Sequence, residues 1–178
     1  MKTTEIQLNL LPIALPDRAA RFVAAALERG KSVDWFDFVA SDYAVVYTLL
    51  SALQRGRFCE WGSGLGVVTG LAEMLGYSAT GVEIHEPLVQ ASRELLAEHG
   101  LQSSIECGDY HERADAAELY FTYCWPNRVV RTTERFHEIA PPGSRLLIYY
   151  GPADIRWIPQ HGVTTTKERK QEGNTDLH

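Results

Sequence analysis

Three carboxylic acids stand at or near the ends of three short apolar runs: Glu60 in RFCEW, Glu83 in TGVEI and Asp109 in IECGDY. Behind the first of them the stretch WGSGLGVVTG holds Gly62, Gly64, Gly66 and Gly70. Glycines in a turn after a strand adopt positive φ without steric cost and let backbone N–H groups approach a ligand closely. In a dinucleotide site the spacing is G-x-G-x-x-G, and the pyrophosphate rests on a helix N-terminus. Here the spacing is G-x-G-x-G with Glu60 two residues ahead. A carboxylate there repels a pyrophosphate and favours a cationic ligand. Glu83 lies twenty-one residues after Gly62, where an acidic side chain can accept hydrogen bonds from both hydroxyls of a ribose. Taken with Asp109 at the next strand end, the acids suit an adenosine that carries a positive charge.

Elements that could hold these residues follow from periodicity. From residue 57 onward apolar runs alternate with helical patterns: RFCEW, LGVVTGLAEMLG, SATGVEI, EPLVQASRELLAEHG, SSIEC, ELYFTYCW, NRVVRTTERFHEIA and SRLLIYYG. Strand followed by helix, repeated, predicts a parallel sheet covered on both faces, an α/β architecture of three layers. In such sheets ligands bind beyond the carboxyl ends of the strands, where strand order reverses. Pro87 and Gly100 mark the start and stop of one helix, and Glu86 beside Pro87 favours its N-terminus, which explains Glu86 better than a metal pair with His85 does. Ahead of the glycines, RAARFVAAALERG places Phe22, Val23, Ala26 and Leu27 on one helical face. SDYAVVYTLLSALQRG reads as a second helix capped by Ser41 or Asp42 and stopped at Gly56. After Gly151 only DIRWIP can add a strand, so five to six strands are expected in a sheet trimmed at its C-terminal end.

The expected division is one domain over 1–160, with a helical N-terminal part (1–56) and an α/β core (57–160). A polar tail (161–178) without periodicity reads as disordered. The chain has 178 residues, 45% apolar content and a net charge of −6, which gives no general attraction for phosphate backbones or anionic lipid. Cys59, Cys107 and Cys124 are odd in number, far apart and set in apolar surroundings, which predicts reduced, buried thiols rather than disulfides or zinc. The N-terminus lacks a signal-peptide pattern and no window reaches membrane-span length, so a cytoplasmic protein is expected.

CEWGSGLG with Glu60 resembles the first motif of the class I S-adenosylmethionine-dependent methyltransferases, and small bacterial proteins of that kind with SDY ahead of the motif look most similar. GVEIHEPLVQASR is similar to the family's second-strand segment and IECGDY to its third. The resemblance spans roughly residues 40–151. It implies a Rossmann-like fold and S-adenosylmethionine as cofactor, released as S-adenosylhomocysteine. Glu60, Trp61, Gly62, Ser63 and Gly64 would border its methionine end and Glu83 would bind the ribose. Asp109 would hold the adenine amino group, with Ile84 and Tyr110 flanking the ring. Many amine and nucleobase methyltransferases carry an acid or amide before Pro-Pro and an aromatic after the fourth strand. Here the stretch reads Tyr123-Cys124-Trp125-Pro126-Asn127, which argues against DNA or glutamine N-methylation and leaves a small-molecule acceptor as the expectation.

Methyl transfer from a sulfonium is an in-line displacement, so the protein aligns, excludes water and removes a proton where one is lost. Tyr123 and Trp125 would wall the transfer pocket, and His111 could be the general base. Trp35, Phe36 and Phe38 could contribute to a lid or simply pack. Arg128, Arg131 and Arg135 share a helix face interleaved with Glu134 and Glu138, and read as a solvated face ahead of an anion contact. Two other readings stay open: a non-catalytic module that binds S-adenosylmethionine or a partner, and a nicotinamide-dependent oxidoreductase, which Glu60 and the glycine spacing disfavour.

Overall fold

In the computed structural model, the runs read from the sequence pair into one mixed sheet flanked by helices; the structure describes residues 6–8, 10–32, 41–113 and 115–160. The elements are β1 (Ile6–Leu8), α1 (Asp17–Gly30), α2 (Tyr43–Ala52), β2 (Arg57–Trp61), α3 (Val67–Met74), β3 (Ser78–Glu83), α4 (Glu86–Glu98) and β4 (Ser104–Cys107). They continue with β5 (Leu119–Tyr123), a 3₁₀ turn (Pro126–Arg128), α5 (Val129–Ile139), β6 (Arg145–Gly151) and β7 (Asp154–Pro159). The strand order is β1-β7-β6-β5-β2-β3-β4. β2 pairs in parallel with both β3 and β5. The chain therefore winds one way through β3 and β4 and the other way through β5 and β6, and the reversal lies over the carboxyl end of β2.

The three-layer, mostly parallel sheet is as the sequence predicts, and DIRWIP forms β7, antiparallel to β6. One strand was not foreseen. Residues of β1 pair antiparallel with β7, Ile6 opposite Trp157 and Leu8 opposite Ile155, so a segment assigned to a helical N-terminal part instead covers the sheet edge that the C-terminal end leaves open. Three residues between polar and proline-rich neighbours are too short a run to show a period of two.

Asp42, rather than Ser41, starts α2: its Oδ1 accepts from the N–H groups of Ala44 at 3.1 Å and Val45 at 3.2 Å. The helix ends at Ala52, four residues before Gly56. On one face of the sheet α1, α2, α3 and α4 bury Phe22, Val46, Leu50, Leu71, Val89 and Leu95. A Cβ built on Gly70 would stand 2.5 Å from Phe22 Cζ, so this glycine is there to let α1 approach α3, not to meet a ligand. On the other face Trp61, Tyr120, Cys124, Phe136 and Ile148 form a smaller core under α5.

Cys59 and Cys124 are buried as expected, and burial pushes the Cys59 thiol up to about 12. Cys107 is exposed, because it ends β4, the edge strand, with no further strand beside it. Trp35, Phe36, Phe38 and the 161–178 tail lie outside the described residues. Among the described residues no helix is long and apolar enough to cross a membrane.

Candidate functional site

A cavity of about 580 Å³ opens over the carboxyl ends of β2, β3 and β5. Every site residue expected from the sequence lines it: Glu60, Trp61, Gly62, Ser63, Gly64, Glu83, Ile84, Asp109, Tyr110, His111, Tyr123 and Trp125. The strand pairing accounts for this gathering, since parallel neighbours finish their loops at the same sheet edge.

The glycine-rich loop is wired to its own sheet. The N–H groups of Gly62 and Ser63 both donate to the Val82 carbonyl, at 2.8 and 3.0 Å, and that of Gly66 donates to the Ser63 carbonyl at 2.7 Å. Gly64 N–H donates to Glu83 Oε2 at 2.8 Å. The expectation that these N–H groups reach a ligand is therefore corrected: strand and loop carbonyls and one carboxylate already hold them. Gly62 is needed for a different reason. Its φ is +73°, and a Cβ there would meet nothing within 4 Å; the backbone requires glycine and leaves a bare cavity wall. Gly66, at φ +70°, serves packing, because a Cβ would press on Ile105 Cδ1 at 3.1 Å and Ser92 Cβ at 3.3 Å.

Glu60 is buried, and its Oε2 accepts from Thr69 N–H at 2.8 Å and Thr69 Oγ1 at 2.5 Å. The carboxyl thus occupies the first turn of α3, where a phosphate would have to sit in a dinucleotide site. Burial pushes its pKa up to about 8, Thr69 opposing and Glu83 reinforcing the rise. Glu83 is also buried. Its Oε1 accepts from His85 N–H at 3.0 Å while Oε2 holds Gly64, so both oxygens are fixed and each keeps a lone pair for a further donor. Asp109 Oδ1 accepts from His111 N–H at 2.8 Å, closing a tight turn after β4.

Ile84 is 56% exposed, an apolar side chain left bare at a strand end. Tyr110 is committed differently. Its ring stacks on Trp61 with centroids 5.0 Å apart and 6° between planes, and its hydroxyl lies 3.2 Å from Thr132 Oγ1. Trp61 is itself buried against Tyr120. This pair belongs first to the core beneath α5 and borders the cavity from there. Ser63 Oγ is buried without a hydrogen-bond partner among the described residues, crowded against β3, where a Cβ on Gly81 would stand 2.8 Å away.

Across the cavity, Tyr123 and Trp125 meet edge to face at 5.6 Å and 88°, and Trp125 is 44% exposed. His111 is pushed below its ordinary value, by burial first and then by Arg131, which favours the neutral imidazole, the form that can accept a proton.

Further polar residues outside the expected site also line the cavity, among them Ser41, Tyr43, Arg128 and Arg131. Ser41 and Tyr43 enter it on either side of the Asp42 cap; once that cap is fixed, its two neighbours flank the start of α2. Burial, then Glu60 and Tyr149, push the Tyr43 hydroxyl well above its usual value. Arg128 and Arg131, read from the sequence as a solvated face ahead of an anion contact, are exposed and also line the cavity. Pro126 opens a 3₁₀ turn that carries Arg128 and swings the start of α5 over the strand ends. Arg135 does stay outside, paired with Glu138 at 3.2 Å.

No family model and no curated protein sequence matches the chain. Solved structures do. The chain is similar to the mitomycin 7-O-methyltransferase MmcR, at 25% identity and TM-score 0.55, over 71% of this chain and 42% of that one. It is similar to the S-adenosylhomocysteine-bound methyltransferase PaMTH1 of Podospora anserina, at 12% identity and TM-score 0.64, over 77% and 63%. The O-methyltransferase TomG of Streptomyces achromogenes, involved in tomaymycin synthesis and solved with S-adenosylmethionine, matches at 13% and TM-score 0.59, over 76% and 66%. The first three structures it matches are spanned over 42%, 51% and 64% of their length. The fold is the Rossmann-like fold these methyltransferases share.

Proposed function

We propose that the protein is an S-adenosylmethionine-dependent methyltransferase that transfers a methyl group to a small-molecule acceptor. The observation that carries this reading is the wiring of the glycine-rich loop. The N–H groups of Gly62, Ser63, Gly64 and Gly66 are taken, a carboxyl sits on α3, and a second buried carboxyl faces the same cavity with both oxygens fixed. Such a wall suits a cationic nucleoside, to which it offers two acids, better than a diphosphate. The bare surface at Gly62 leaves room for the ligand to lie against the loop.

When bound, the cofactor supplies a methyl group activated by a sulfonium. The chain does the rest. Glu83 would accept from the ribose hydroxyls, the exposed flank of Ile84 would cover the adenine, and Asp109 would accept from its amino group. Glu60 and Tyr43 would border the amino-acid end. Tyr123 and Trp125 close the opposite wall, exclude water and align the acceptor, and His111 takes its proton. The likeness of the fold to O-methyltransferases supports the reaction class.

Titration calorimetry tests the reading. S-Adenosylmethionine and S-adenosylhomocysteine are expected to bind with dissociation constants in or below the micromolar range, and nicotinamide dinucleotides far more weakly. Absence of binding by both adenosyl ligands would sink it.

A further inference from the structure

The cavity is lined by acids and by arginines, and the cofactor reading uses only the acids. Glu60, Glu83 and Asp109 stand on the side of β2, β3 and β4. Arg128 and Arg131, on the 3₁₀ turn and α5 that follow β5, also line the cavity, and both are exposed. Among the described residues neither guanidinium has an ion pair or hydrogen bond, whereas the neighbouring arginines are engaged: Arg113 holds Asp115 at 2.7 Å and Arg135 holds Glu138. Their field reaches inward, because Arg131 and Arg128 both help to depress His111.

Next to these free cations Trp125 presents a half-exposed indole, braced edge-on by Tyr123. Residues 125, 128 and 131 recur every three positions through the 3₁₀ turn into α5, which sets them along one side. A flat indole is a stacking surface for a planar ring. A guanidinium left unpaired beside it presents a fork of donors that matches a carboxylate. A neutral acceptor would leave two arginines at the cavity wall with no use.

Building on the methyltransferase reading, we propose that Trp125, Arg128 and Arg131 form the acceptor subsite and select a small planar carboxylate that bears a hydroxyl. The ring lies on Trp125, the carboxylate engages the arginines, and the hydroxyl faces His111. In the transfer an O–CH₃ bond forms as the S–CH₃ bond breaks, the bonding pair stays on sulfur, and the hydroxyl proton passes to the imidazole.

The test compares 4-hydroxybenzoate with 4-hydroxybenzamide, probes alike in ring and hydroxyl but different in charge, by calorimetry on the full chain loaded with S-adenosylhomocysteine and on the unliganded chain. The acid is expected to bind at least about tenfold tighter than the amide, with a preference that shrinks as salt rises. Arg128→Gln combined with Arg131→Gln should abolish the preference and leave S-adenosylhomocysteine affinity within about twofold, which also certifies that the variant folds. Equal binding of acid and amide, a preference that survives the double substitution, or no binding of either probe at millimolar concentration would overturn the proposal. If S-adenosylhomocysteine does not bind the wild-type chain, the methyltransferase reading fails, and the acid-over-amide comparison on the unliganded chain still decides the anion subsite.

Discussion

On the β2–β3 side of the cavity Glu83 commits both carboxylate oxygens to backbone N–H groups, whereas on the β5–α5 side the guanidinium groups of Arg128 and Arg131 have no partner among the described residues. The same contrast separates the aromatics. Trp61 is 1% exposed and locked against Tyr110 and Tyr120, while Trp125 is 44% exposed. One wall is preorganised by its own backbone, as suits a ligand whose shape never changes. The other keeps charge and ring surface in reserve, so its energy is realised only when an acceptor arrives.

The sharpest way to break this contrast is Glu83→Ala. It removes the acceptor for Gly64 and His85 N–H together with the proposed ribose contacts, each a bond to a charged group worth about 1.5–3 kcal/mol. Affinity for S-adenosylhomocysteine should fall by roughly a hundredfold or more, and thermal stability should drop with it. Arg131→Gln should do neither. Calorimetry and melting curves on the two variants separate the walls, and equal losses from both would erase the distinction.

Glu60 sharpens it through pH. Its carboxyl titrates near 8 when folded against an ordinary 4.5, so the folded state binds the proton more tightly than the unfolded one. The stability this confers is complete below pH 4.5 and is lost progressively as pH rises to about 8, on the order of a few kcal/mol. Glu60→Gln keeps an acceptor for Thr69 but cannot ionise. The variant should match wild type in melting at pH 5 and exceed it at pH 8.5. A cationic ligand should narrow that gap by drawing the proton off Glu60, and parallel melting curves at both pH values would refute the account.

Legibility followed the same divide. The acids were readable because parallel strands end at a common edge, so Glu60, Glu83 and Asp109 needed only the strand-helix rhythm to be brought together. What the acids do was less readable: that Glu60 caps α3 through Thr69 is a contact nine residues away and depends on the tilt of the helix. The arginines were half readable: Arg128 and Arg131 are exposed as helical spacing suggests, but spacing reports a face, not that the face borders the cavity. β1 was invisible for the opposite reason, since its pairing partner lies about 150 residues away and three residues carry no pattern of their own.

The smallest expected effect lies on Ile84, where stability and binding should part company. An isoleucine 56% exposed contributes little to the fold, and Ile84→Ala should shift stability by no more than about 0.5 kcal/mol. If an adenine covers that side chain, the removed apolar surface is worth about 1 kcal/mol of binding, and S-adenosylhomocysteine affinity should weaken about fivefold. Tyr110 offers the control within the same wall. Its ring is already stacked on Trp61, so Tyr110→Ala should cost stability first. A variant at Ile84 that melts early but binds normally would place Ile84 with the core and leave the adenine to be held by other groups on this wall.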